Sequence, residues 1–412
     1  MSKPRPRLVV IGNGMAGMRT VEELLQLAPD LYDISVFGAE PHGNYNRILL
    51  SMLLSGEKQA DDIVLHPPVW YASHGIELHT GDPVVAVDRA RRTVRSRSGV
   101  VRSYDRLLVA TGSRPAPLPV PGAALPGIVS FRNIDDVERM VAAAGVYRRA
   151  AVIGGGLLGI EAAHGLSRRG MQVTLIHRSQ VLLNQQLNAD AARLLGRNLE
   201  GRGLALRLGA ETVRFEGVHR VERVCLADGS QVDADMVVVA IGVQPDIALM
   251  QASGIYCERG IVVDDTLQTY DPRVYAVGEC VQHRKLTFGL VAPVWEQASV
   301  CAAHLARFGH RRYRSAQAAT RLKVTGIDLY SAGDFIGGAG TEDLVLRDPR
   351  RGIYKRLVLS GNRLVGAVLY GDARDGGWYF DLIRHGDDVA PWRDRLLFGQ
   401  AYCQPALAQA SA

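Results

Sequence analysis

Three glycines set between an apolar run and a helical pattern are the feature of this chain most able to do chemistry, and the arrangement occurs twice. Leu8 to Ile11 leads into Gly12-Asn13-Gly14-Met15-Ala16-Gly17, and Met18 to Leu25 follows with apolar residues at helical spacing. Strand, tight turn and helix in that order bring free backbone N–H groups and the positive end of a helix dipole to one point, which suits a phosphate. Gly12 permits the turn, Gly14 lets a pyrophosphate approach the backbone, and Gly17 lets the helix lie close to the strand. Ala150 to Ile153 leads in the same way into Gly154-Gly155-Gly156-Leu157-Leu158-Gly159 and a helix carrying Glu161. Two phosphate-cradling turns imply two dinucleotides, or a donor and an acceptor cofactor.

Other residues take their meaning from these turns. Tyr32 to Gly38 reads as the strand after the first helix, and Glu40, just past it, stands where a carboxylate binds a ribose hydroxyl. Arg47 is suited to a phosphate or a ring carbonyl, or to an ordinary salt bridge. After the second helix, Met171 to Ile176 is the matching strand, but His177 and Arg178 follow it. An acid there would favour NADH; Arg178 could instead meet a 2′-phosphate. Glu161, facing back to its glycine turn, could hydrogen-bond a carboxamide. Two strands end alike, in Ala110-Thr111-Gly112 and Ala240-Ile241-Gly242, each followed by proline, and this internal echo supports duplicated domains. A third strand ends in Gly278-Glu279, where a carboxylate can accept hydrogen bonds from a ribityl hydroxyl. The helix after it, Leu290 to Cys301 with Trp295 in its first turns, could cap a flavin ring.

These residues must be positioned by more than one core. At 412 residues, two or three domains are expected. The composition is that of a globular protein, 47% apolar and 22% charged, with 44 glycines that fit an α/β protein rich in tight turns. No apolar stretch reaches membrane-spanning length and the basic start lacks a signal-peptide core, so the expectation is a cytoplasmic protein with no membrane partner. The net charge of +6 concentrates in Arg89–Arg102 and Arg307–Arg314. Each run reads as a solvated basic face or a docking surface for an acidic electron-transfer protein; without a nucleic-acid fold signature, no nucleic-acid partner is expected. The five cysteines, Cys225, Cys257, Cys280, Cys301 and Cys403, are scattered without metal-ligand spacing, so no metal site and no disulfide framework is expected. Cys280 and Cys301 read as small buried residues.

The expected fold is α/β, with two Rossmann-like dinucleotide-binding domains and a small α+β C-terminal domain. Residues 1–118 and 245–312 form the first domain, which the chain leaves and re-enters, residues 119–244 the second, and 313–412 the third. Gly75 to Asp105 reads as a small antiparallel sheet, Pro115 to Pro121 as an extended linker, and Gln404 to Ala412 as a frayed tail.

Together, Gly12-x-Gly14-x-x-Gly17, Ala110-Thr111-Gly112 and Gly278-Glu279, bracketing an inserted second motif, resemble the pyridine nucleotide:disulfide oxidoreductase superfamily, with its glutathione-reductase-like two-domain fold. Asn44 to Ser51, Cys280 to Arg284, Gly289 to Ala298 and Leu322 to Asp328 are similar to the FAD/NAD(P)H portion of assimilatory nitrite reductase large subunits. The same portion forms the electron-transfer subunit of assimilatory nitrate reductase. The resemblance implies FAD in the first domain, NAD(P)H in the second, hydride passing to flavin N5, and single electrons passing to a partner. It implies no catalytic side chain, since hydride transfer needs positioning alone. Met52 stands where related ferredoxin reductases carry a lysine, and Glu279 replaces the usual aspartate. No cysteine precedes Cys225, so the redox cysteines of disulfide reductases are absent from the segment after the second strand. The iron–sulfur and sirohaem modules of full-length nitrite reductases are also missing, so this chain is not expected to reduce nitrite alone.

The leading expectation is an electron-transfer flavoprotein feeding a nitrate or nitrite reductase catalytic component. A rubredoxin or ferredoxin reductase of an oxygenase system shares every motif and differs only in partner. A nucleotide-binding flavoprotein sensor is the alternative of a different class. Whether residues 313–398 form a homodimer or dock the partner stays open.

Overall fold

Both glycine turns grow from the middle strand of a five-stranded parallel sheet, and the two sheets agree in the order of four strands; the fifth, at one edge, comes last along the chain in the first sheet and first in the second. The computed structural model describes residues 4–289, 291–314, 319–324 and 326–403. The expected fraying of Gln404 to Ala412, and Leu290 and Thr325 of the quoted motifs, lie outside these residues. Arg7–Ile11 is flanked by Asp33–Phe37 and Arg106–Val109, with Glu77–His79 and Val274–Ala276 at the edges. Arg149–Ile153 is flanked by Gln172–His177 and Met236–Val239, with Ala205–Leu208 and Ile128–Ser130 at the edges. Every pairing in both sheets is parallel. Helices cover them, so the central strands are buried on both faces and read as unbroken apolar runs.

A three-stranded antiparallel sheet accompanies each parallel one: Val84–Asp88, Thr93–Ser96 and Val101–Ser103 in the first half, and Thr212–Glu216, Arg223–Leu226 and Gln231–Asp233 in the second. Glu77 to Thr80, expected in the antiparallel sheet, belongs elsewhere, because Glu77–His79 pairs in parallel with Asp33–Phe37. Alternation announces a half-exposed strand but not its partner. The passage between the halves is a strand pair, Ser113–Pro115 antiparallel to Val243–Pro245, where an extended linker was expected from Pro115 onward. The segment after the second strand is not one helix: Asn44–Tyr45 is a short strand, Arg47–Leu49 a 3-10 turn and Leu50–Ser55 a helix.

That short helix joins the halves. Leu54 is fully buried in the second half's core and sits where any side chain on Gly165 would have to go. Arg169 donates from Nε to the Leu54 carbonyl (2.7 Å). The C-terminal segment builds a five-stranded antiparallel sheet from Thr320–Val324, Ile327–Gly333, Arg363–Tyr370, Ile353–Ser360 and Glu342–Asp348, in that spatial order. Its two faces follow the period-two alternation of its strands. Tyr330, Leu357 and Leu369 pack with Tyr379 of the helix Gly376–His385, while Leu329, Tyr354, Val368 and Tyr370 join the second half's core.

Candidate functional site

The two glycine turns are close copies at the level of single hydrogen bonds. Gly12 N–H donates to Phe37 O (2.8 Å) and Ala110 N–H to Ile11 O (2.7 Å). Gly154 N–H donates to Ile176 O (2.9 Å) and Ala240 N–H to Ile153 O (2.8 Å). Gly12 and Gly154 have φ of +114° and +123°, and a Cβ on either would fall on the carbonyl oxygen of Ala110 or Ala240. Side chains at Gly17 and Gly159 would collide with the turns they lean on, at Gly12 O and Gly154 O. At Gly14 and Gly156 a Cβ would meet nothing within 4 Å. These two residues cap helices that have no side-chain cap and no acid in the first turn. Bare N–H groups facing open space are what a pyrophosphate requires, so both turns fit a dinucleotide.

One cavity of about 1600 Å³ runs past both turns. Gly12, Gly14, Met15, Ala16, Glu40, Arg47, Ala110, Thr111, Gly112, Gly278 and Glu279 line it from the first half. Gly154, Gly156, Leu157, Leu158, Glu161, His177, Arg178 and Gly242 line it from the second. Gly17 and Gly159 lie behind it in their packing role. Trp295 does not line it. Val291 and Val294 of the helix Val291–Leu305 do, whereas the Trp295 ring lies beside the Arg19 guanidinium (5.8 Å). One step of about 100° along a helix separates a residue facing the cavity from one facing away. Gln297 ties this helix to the site, its Oε1 accepting from Gly278 N–H (2.8 Å).

Charged groups alternate along the first half's wall. Glu40 accepts from Tyr45 OH (2.6 Å) and pairs with Arg47, which also donates to Arg132 O (3.0 Å). The salt bridge weighed for Arg47 is therefore present. Each Glu40 oxygen keeps a further lone pair for a hydroxyl. Glu279 accepts from Ser113 Oγ (2.6 Å) and pairs with Arg132, which also donates to Ser113 Oγ (2.8 Å). Arg132 and Ser113 were missed from the sequence. Arg132 stands in the loop after Ile128–Ser130 and reaches a carboxylate 147 residues away, with no motif to mark it. Thr111 Oγ1 donates to Asp246 O (2.6 Å), holding the strand crossing at the cavity wall.

The second half's wall is barer. Burial pushes the Glu161 carboxyl up to about 7, opposed in part by the Ser51 hydroxyl; no cation is near enough to pair with it among the described residues. The His177 ring lies where a side chain on Gly155 would go, and burial lowers its pKa. Arg178 is exposed. Away from the cavity, burial holds the thiols of Cys280 and Cys257 up at about 11, and raises that of Cys301, as expected of packing residues. Of the two basic runs, Arg89–Arg102 is half neutralised, through Arg89–Asp271, Arg91–Asp88 and Arg102–Glu77, while Arg92, Arg95 and Arg97 have no ion pair among the described residues. Arg307, Arg311, Arg312 and Arg314 face solvent beyond the end of the helix whose start lines the cavity. Fifteen residues at 1.5 Å each put them about 20 Å from it.

The chain matches the family model described as pyridine nucleotide-disulphide oxidoreductase over residues 6–321, and that of the rubredoxin NAD+ reductase C-terminal domain over 319–387. It is 45% identical to a nitrite reductase (NAD(P)H) of Bacillus subtilis strain 168, over 94% of this chain and 48% of that protein. It is 42% identical to the assimilatory nitrate reductase electron transfer subunit of the same organism, over 95% of this chain and 51% of that one. The chain thus spans about half the length of these relatives. Among solved structures, the covalent putidaredoxin reductase–putidaredoxin complex matches with a TM-score of 0.82 at 25% identity, covering 97% of this chain and 100% of that one. NADH:rubredoxin oxidoreductase from Clostridium acetobutylicum shares the fold, with a TM-score of 0.80 at 23% identity over 94% of this chain and 97% of that one. No helix among the described residues is long and apolar enough to cross a membrane. The α/β fold, the two uncapped glycine turns and these matches agree: the chain belongs to the pyridine nucleotide-disulphide oxidoreductase family, as an NAD(P)H-dependent oxidoreductase with FAD and NAD(P)H as cofactors.

Proposed function

We propose that this chain carries electrons from NAD(P)H through FAD to a separate redox protein, in assimilatory nitrate or nitrite reduction. The observation that carries the proposal is the single cavity reaching both glycine turns, which lets two dinucleotides meet end to end. FAD, when bound, takes two electrons from a reduced nicotinamide and releases them singly.

In this reading Gly12, Gly14, Met15, Ala16 and Gly17 hold the FAD pyrophosphate, and Glu40 takes the ribose. Glu279 takes the ribityl chain, with Arg132 orienting its carboxylate, and Ala110, Thr111 and Gly112 form the floor beneath it. Gly154, Gly156, Leu157, Leu158 and Gly159 hold the nicotinamide nucleotide, with Gly242 at its edge, and Glu161 faces its carboxamide. The corresponding domains are residues 1–118 with 245–312 for FAD, 119–244 for NAD(P)H, and 313–412 as an interface to the partner or to a second copy. With NAD(P)H as donor, the cytoplasm is the expected compartment.

A second reading, a ferredoxin or rubredoxin reductase of an oxygenase system, is supported by the likeness to putidaredoxin reductase. Anaerobic stopped-flow mixing with NADH and NADPH, followed by candidate acceptors, separates the two. Rapid bleaching of the flavin, and re-oxidation by a nitrate or nitrite reductase component, is the expected result. Re-oxidation only by ferredoxin or rubredoxin favours the second reading. Absence of bleaching would overturn both and leave a nucleotide-binding sensor.

A further inference from the structure

The two halves differ most at the end of the strand after each glycine helix. The first carries an acid there, Glu40, whereas the second carries His177 and Arg178. A carboxylate at this place suits a ribose diol; a guanidinium suits a 2′-phosphate, which it can grip through two N–H groups.

The surroundings of Arg178 strengthen this contrast. Arg47, Arg114, Arg132 and Arg139 line the same cavity, and each is held by a carboxylate: Glu40, Asp246, Glu279 and Asp136. Arg178 also lines the cavity, yet it has no ion pair or hydrogen bond among the described residues. Arg97 and Arg321 also have no ion pair among the described residues, but they stand on other elements, beside the strand Thr93–Ser96 and in the strand Thr320–Val324. The backbone under Arg178 is fixed to the glycine turn. The His177 ring lies against Gly155, Leu183 N–H donates to Gly155 O (2.9 Å), and Ala210 N–H donates to His177 O (2.9 Å). An unpaired, exposed guanidinium on an anchored strand end is poised for an anion that the chain itself does not supply.

One neighbouring group argues the other way. Glu211 lines the same cavity just past the strand Ala205–Leu208, and a carboxylate there could take a 2′-hydroxyl. It forms no ion pair with Arg178 among the described residues.

We infer that the second turn takes the 2′-phosphorylated dinucleotide, with Arg178 as the residue that selects it. The inference rests on the proposed assignment of this turn to NAD(P)H.

Calorimetric titration of the FAD-loaded protein with NADP+ and with NAD+ tests it. NADP+ is expected to bind at least tenfold more tightly, and its affinity to fall with added salt more steeply than that of NAD+. Arg178→Ala should remove most of the advantage of NADP+ while changing NAD+ affinity less than about twofold, with the melting temperature unmoved because the side chain is exposed and unpaired. NAD+ binding as tightly as NADP+, or Arg178→Ala weakening both alike, would overturn the inference while leaving the assignment of the turn intact. Loss of NAD+ binding in Glu211→Gln with a silent Arg178→Ala would overturn it in favour of the 2′-hydroxyl. If neither nucleotide binds, the assignment of the turn fails, and the inference with it.

Discussion

The two glycine turns share a backbone and differ in almost everything that faces it. Glycines at matching positions open φ, leave room for a phosphate and let a helix close on a strand. Around the first turn, carboxylates and guanidiniums interlock, and Arg132 arrives from the second half to hold Glu279. Around the second, Glu161 lacks a counter-ion among the described residues and Arg178 stands free. Backbone sterics therefore fix where a dinucleotide can lie, and the side chains at strand ends fix which one and how firmly.

The largest test of this division lies in the turns themselves. Gly12→Ala and Gly154→Ala each force a Cβ onto a carbonyl oxygen at a positive φ, at a cost of about 3 kcal/mol or more. If the halves are separately specialised, Gly12→Ala yields a protein that loses its flavin on purification. Gly154→Ala should stay yellow but fail to bleach with NAD(P)H. The same defect in both variants would break the comparison.

Leu54→Ala comes next, at about 3 kcal/mol for a fully buried leucine. Leu54 belongs to the first segment of the chain but packs in the second half's core, so its loss should lower one shared thermal transition. A split into two calorimetric transitions would show that the halves melt independently. Glu279→Gln should cost about 2 kcal/mol, because Arg132 keeps its charge without its carboxylate. Flavin release measured by fluorescence should quicken, with nucleotide affinity little changed; an equal loss of both would make Arg132–Glu279 a general interdomain strut.

How much of this was readable beforehand follows the range of each interaction. The glycine turns, their strands and the echo of Ala110-Thr111-Gly112 in Ala240-Ile241-Gly242 are local patterns, governed by φ and by period, and they were legible. Arg132 was not, since its carboxylate lies 147 residues on and its own neighbours carry no pattern. Trp295, expected to cap the flavin, does not line the cavity, because large aromatic area says nothing about which side of a helix faces a cleft; Val291 and Val294, less conspicuous, take that side. Glu77–His79 was assigned to the wrong sheet, since its alternation fits either partner. Which arginine would be left unpaired depends on every carboxylate in the fold, and only coordinates supply that.

The subtlest difference between the halves is a proton. Glu161 titrates near 7 in the fold against an ordinary value of 4.5, because burial disfavours its charge and only the Ser51 hydroxyl offsets it. Between those values the folded chain holds a proton that the unfolded chain has released. Stability from this group is therefore fully present below about pH 4.5 and is lost as pH rises to about 7. Glu161→Gln keeps the shape and removes the titration, so it should melt higher than the parent above pH 7 and level with it near pH 4.5. Thermal melts across that range check the sign: a parent that gains on the variant as pH rises would mean that Glu161 is ionised and paired in the fold. The second half's wall would then carry an interlocked charge like the first's, and the contrast between the halves would rest on Arg178 alone.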